Sequence, residues 1–191
     1  MKILCRSFLT TAAFLLPLVF LSTAMGQEER KFQWIVSGQN TPPQSAMAGD
    51  GSKTQNGSTI QIAGTGTFVV GEPDKVTGGG TWATFDAKGA ATGKGNFRVT
   101  RLINFELYPG SRPGFPTWHA GLAFFRIAYD DGNKGILIVS CSLFFFDPSA
   151  PPSIPEGFSA TKAYVDYWFG FNGDTLFNGD TLFIALPGEQ D

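Results

Sequence analysis

The sequence predicts an all-β protein: a single antiparallel meander closing into a small β-barrel, with a two-sheet β-sandwich as the alternative. Three observations carry this. Residues alternate apolar and polar over stretches of strand length, most clearly from Ile60 to Val70. Glycine, proline and aspartate punctuate those stretches at short intervals. No amphipathic helical segment of useful length is found, and segments adjacent in sequence are expected to pair.

In chain order, the first 26 residues read as a secretory signal peptide. Lys2 and Arg6 give the basic start, Phe8 to Leu21 the apolar stretch, and Ala24-Met25-Gly26 the small-residue cleavage site. The protein is therefore expected to be secreted or periplasmic. The apolar stretch is short for a membrane span, and no later segment is long enough. Cys5 is misplaced for a lipid anchor. Residues 27–191 form one β-domain, long enough for a proper core.

Lys31 to Ser37 is a first strand. Gly38 to Ser58 is rich in Pro, Gly and Asn, and reads as a long mobile loop. Within it, Asn56-Gly57-Ser58 matches a glycosylation acceptor. Ile60 to Val70 is the second strand, with Ile60, Ile62, Gly64, Gly66, Phe68 and Val70 on one face. A turn at Gly71–Lys75 leads to a strand over 76–85, and a turn at Asp86–Gly89 to a long strand over 91–108. Its length predicts a bend or bulge. A hairpin centred near Pro73 would put Gly64 opposite Trp82, and the next hairpin would bring Gly93 or Gly95 to Trp82. Either Trp82 covers these glycines or the bare backbone admits a ligand.

Pro109 to His119 is an irregular loop, since three prolines deny it a ladder. Strands over 120–129 and 135–146 flank the Asp131-Gly132 turn. Asp147 to Gly157 is a further loop, and Ser159 to Phe171 a strand rich in aromatics. Phe171-Asn172-Gly173-Asp174-Thr175-Leu176 then recurs unchanged over 177–182. This reads as a duplication where length is tolerated, with calcium binding by Asp174 and Asp180 the other reading. The architecture resembles small secreted barrels of the lipocalin or dirigent type; no motif carries the likeness.

Composition excludes several functions. Loss of Lys2 and Arg6 takes the net charge from −2 to −4, so a nucleic-acid partner is not expected. His119 is the only histidine, which excludes multi-histidine zinc and copper sites. No G-x-S-x-G elbow is found. No catalytic residue, metal or cofactor is therefore assigned. Without Cys5 a single thiol remains, Cys141, whose parity mates are apolar; it is either buried or paired between chains, which leaves a homo-oligomer open.

Four residues are candidates for ligand binding: Arg101, Trp82, Trp118 and His119. Arg101 shares parity with Phe97, Val99, Ile103 and Phe105, where an unpaired guanidinium is costly. A bulge near Thr100–Leu102 would turn it outward; otherwise it pairs with Glu106 or Asp166, or meets an anionic ligand. Trp118 and His119 sit in a loop at a strand mouth. The leading functional expectation is non-catalytic binding of a small apolar or amphipathic molecule. The alternatives are a dirigent- or cyclase-like barrel guiding a reactive intermediate with Arg101, Glu106 or Tyr108, and a structural or adhesive surface protein.

Overall fold

The computed structural model describes residues 30–36, 51–110, 112–144, 146–150, 152–168 and 181–187. The expected signal peptide, residues 38–50 of the expected loop, Asp174 and Asp180 all lie outside the described residues.

Among the described residues the chain forms twelve strands and no helix. They are β1 (Lys31–Val36), β2 (Ser52–Lys53), β3 (Thr59–Val69), β4 (Glu72–Val76), β5 (Gly79–Phe85) and β6 (Ala91–Leu107). There follow β7 (Trp118–His119), β8 (Gly121–Tyr129), β9 (Lys134–Cys141), β10 (Gly157–Lys162), β11 (Val165–Tyr167) and β12 (Thr181–Leu186). All belong to one antiparallel sheet of order β11-β10-β9-β8-β6-β5-β3-β1-β12-β7, with β2 and β4 also paired to β3. From β11 to β1 the order is a meander, each longer strand beside its neighbour in sequence.

The expected closure into a barrel is not found. Among the described residues the sheet ends at β11 and β7, and no ladder joins the two sides. β11 has three residues and β7 two, too little backbone for a closing ladder. Isolated contacts do the joining instead. One bridge links Lys53 to Trp168. Elsewhere the Thr181 hydroxyl donates to the Ser140 carbonyl at 2.5 Å. An open curled sheet or a sandwich fits this pairing.

The first hairpin is shifted by two residues from expectation. Trp82 lies opposite Ile62, and Gly64 opposite Gly80. The cause is local: Val69 pairs with Glu72 and Phe68 with Val76, so Pro73, Asp74 and Lys75 leave the ladder. Proline has no N–H to give a ladder, which makes this excursion cheap. A shift of two preserves parity, so Ile60, Ile62 and Phe68 remain buried on one face.

β6 bends as its length implies. Its register with β8 slips between Val99 and Arg101 and again between Leu102 and Asn104. Each slip adds one residue and reverses parity beyond it. Phe97, Val99 and Leu102 are thus buried and Phe105 packs against the core, while Arg101 and Ile103 face outward.

Three expectations are corrected. Residues 51–58 are not loose loop: Ser52 pairs with Ile60 and Lys53 with Thr59, making a hairpin closed by Thr54–Ser58. The single strand expected over 159–171 is a hairpin of β10 and β11. Its turn residues, Ala163 and Tyr164, both have positive φ, 51° and 64°. Such turns normally carry Asn or Gly, so the sequence gives no sign of this one. Last, β12 was not expected; it lies beside β1 with Thr181 and Phe183 buried. The duplicated segment overlaps its first two residues.

The interior is filled by rings. Trp34, Phe68, Phe125, Phe158 and Phe183 are fully buried. Phe68 meets Phe105, Phe125 and Phe183 at centroid separations of 4.8, 5.7 and 6.1 Å, edge to face.

Candidate functional site

The loop between β6 and β8 carries the chemistry. Its prolines keep it off the ladder, and tight turns shape it. The Phe115 N–H donates to the Arg112 carbonyl at 3.0 Å, with Pro113 and Gly114 at the corner. Gly114 has φ +81°, which only glycine takes readily, so Pro-Gly fits a type II turn. The Trp118 N–H then donates to the Phe115 carbonyl at 3.1 Å. These turns stack Arg112, Phe115 and Trp118 on one another. The guanidinium carbon lies 4.5 Å from the Phe115 ring centre and 4.4 Å from that of Trp118.

A third ring comes from the loop after β9. Phe146, held by a turn onto the Leu143 carbonyl, sits 4.2 Å from the same guanidinium. Phe115 and Phe146 are 42% and 47% exposed. Among the described residues no ion pair involves Arg112. A cation held by ring faces, its N–H groups without a carboxylate, is partly desolvated and still able to donate.

β7 fixes the base of this cluster. Trp118 pairs with Ile184 and His119 with Phe183, both on β12. The His119 ring meets Phe32 edge-on at 5.5 Å. Burial, and then the charge of Arg30, lower its pKa below the ordinary histidine value, so the imidazole is neutral near pH 7. Tyr108, at the end of β6, has its phenol pushed up by burial and then by the Glu106 charge.

Of the four sequence candidates, Trp118 and His119 therefore stand together at this end. Trp82 does not. It is buried, and its indole N–H reaches the Asn96 carbonyl and an Asp130 carboxylate oxygen, both at 3.2 Å. The Lys162 ammonium lies 4.1 Å over its ring while pairing with Asp131. The glycines near Trp82 are filled by the protein itself. A Cβ on Gly93 would meet the Trp82 ring at 3.2 Å, and one on Gly95 an Asp130 oxygen at 2.3 Å. At Gly93 the geometry is that of a covering tryptophan; Gly95 is covered by Asp130.

Arg101 also stands apart. The bulge turns it to the outer surface, 3.9 Å from Asp74 rather than beside Glu106 or Asp166. Both side chains are largely in water, so this pair contributes little. Cys141 is 1% exposed, and burial, reinforced by the Glu156 charge, raises its thiol pKa well above the usual value. Asn56 is exposed at the β2–β3 turn, its side-chain oxygen accepting from the Ser58 N–H at 3.0 Å. Among the described residues, no three or more His, Cys, Asp or Glu side chains gather as metal ligands do.

Sequence reasoning missed Arg112, Phe115 and Phe146. The run Arg112-Pro-Gly-Phe115-Pro-Thr-Trp118 does hold a local signal, an arginine between proline turns and aromatics. Phe146 comes from another loop and left none. Comparison with protein-family models, curated proteins and solved structures finds no match for this chain.

Proposed function

We propose that this is a non-catalytic binding protein for a small apolar or amphipathic molecule, taken at the loop end around Trp118. The carrying observation is the cluster of Phe115, Trp118 and Phe146 about Arg112: rings from two loops, with Phe115 and Phe146 left facing water and Trp118 half-buried beneath. Exposed rings gathered in one place favour a partner that removes them from water. The rigid loop adds little ordering cost to binding. The filled interior favours this mouth over a barrel lumen. Export, as the leader suggests, would place the protein outside the cytoplasm.

A surface-adhesive role has one supporting feature, the exposed Tyr164, Val165 and Trp168 along the short edge strand. The enzymatic alternative has less, since the β6 bulge turns Arg101 to the outer surface near Asp74. Native mass spectrometry of the protein from its own source tests the proposal. A retained small molecule, lost from the Trp118→Ala Phe146→Ala variant, is expected. Ligand-free oligomers would instead favour adhesion.

A further inference from the structure

We infer that the ligand is an anionic amphiphile, its oxyanion on the Arg112 guanidinium and its apolar body over Phe146 and Phe115. The inference rests on the binding role just proposed and specifies the class of ligand.

Three aspects of the geometry lead there. First, the guanidinium carbon has ring centres at 4.2, 4.4 and 4.5 Å, so aromatic carbon crowds the cation from three directions. Second, a planar guanidinium is a rigid fork that matches two oxygens of a carboxylate or sulfate. Third, three other cations among the described residues have a carboxylate beside them. Lys75 pairs with Glu72, Arg101 lies near Asp74, and Lys162 pairs with Asp131. Arg112 is half-buried and has no such partner among the described residues. Burying an unmatched cation further under a purely apolar ligand is costly, whereas an oxyanion arriving with the ligand removes that cost. The neighbouring His119 is neutral near pH 7 and adds no charge to compete for the anion.

Isothermal titration at low salt, with probes below their micelle concentration, tests this on the full protein. The probes are laurate, dodecanol and acetate. Laurate is expected to bind about tenfold more tightly than dodecanol, the increment of one charge-assisted hydrogen-bonded contact, with acetate weak. In Arg112→Gln that preference is lost while dodecanol binding persists; Arg112→Lys retains part of it. Raised ionic strength narrows the gap for the native protein only. Should Arg112→Gln fail to fold, Phe146→Ala serves: it weakens laurate and dodecanol alike. Equal binding of laurate and dodecanol to the native protein overturns the anion assignment and leaves the apolar reading standing. Acetate binding as well as laurate also overturns it. Failure of both laurate and dodecanol to bind removes the binding role itself.

Discussion

The Glu156 carboxylate accepts the Thr181 backbone N–H at 2.9 Å, and the same oxygen lies 2.8 Å from the Thr181 hydroxyl, whose one proton is shared between it and the Ser140 carbonyl. The other carboxylate oxygen takes the Ser142 N–H. Glu156 just precedes β10, Ser142 follows β9 and Thr181 opens β12, so one side chain ties β12 to the β9–β10 connection where no ladder does. These groups are buried, and a donor left unmatched there costs about 1–3 kcal/mol. Glu156→Ala is expected to lose about 2–4 kcal/mol in urea unfolding, with Glu156→Gln between it and the native protein. A loss below about 0.5 kcal/mol, the scale of an ordinary surface change, would show that the seam does not depend on this carboxylate.

The β10–β11 turn stores backbone strain. Ala163 and Tyr164 both hold left-handed φ, at about 1–2 kcal/mol each for ordinary residues. Tyr164 is fully exposed, so changing it disturbs no core packing. Replacing the pair by Asn-Gly, which suits a two-residue hairpin turn, is expected to stabilise the protein by about 1–2 kcal/mol. Thermal unfolding at a fixed scan rate measures this, and an unchanged or lower midpoint would contradict it.

The glycines differ in kind, and their alanine variants should differ accordingly. A Cβ on Gly80 would meet the Ala63 carbonyl oxygen at 1.9 Å, a backbone atom that cannot step aside. Gly71 has open space but φ +84°. Gly80→Ala is expected to cost about 3 kcal/mol or more. Gly71→Ala should cost about 1 kcal/mol, the strain alone. Equal losses in denaturant titration would mean that the β3–β5 backbones are not in close contact.

His119 predicts a pH dependence of stability. Its folded pKa lies below the ordinary histidine value of 6.5, so the unfolded chain binds its proton first as pH falls. Stability is therefore unaffected by this group above about pH 7.5 and declines as pH drops through about 6.5 toward the folded value. The shifted carboxylates Asp130 and Asp131 have lowered pKa values and act below this window, losing their contribution only as pH falls through the acidic range. His119→Phe should flatten the decline between about pH 7 and 5. Persistence of the full slope in that variant would assign it to another group.

Much of the fold is legible in sequence because the strand period of two is written plainly. Ile60, Ile62 and Phe68 alternate with polar residues and are buried as that pattern implies. The bulge in β6 was legible too, from a guanidinium that parity alone would have sent inward. Other features left no local trace. Sheet closure depends on the lengths of β11 and β7, which no single segment encodes. The Ala163-Tyr164 turn lacks turn residues, and β12 begins within a duplication that draws attention away from its own apolar run, Leu182 to Leu186. At the candidate site, Trp118 and His119 were visible as loop aromatics at a strand mouth. Arg112 gains its meaning only when Phe146 arrives from 34 positions later, a contact set by the tertiary fold.

The most direct test is where an apolar ligand acts on the tryptophans. In nitrogen-15 NMR each indole N–H gives its own signal, and Trp34 and Trp82 lie in the core while Trp118 lies beside Arg112. Titration with dodecanol is expected to shift the Trp118 signal and leave those of Trp34 and Trp82 in place. Movement of Trp34 or Trp82 with Trp118 unchanged would put the ligand in the interior and contradict a site at the loop end.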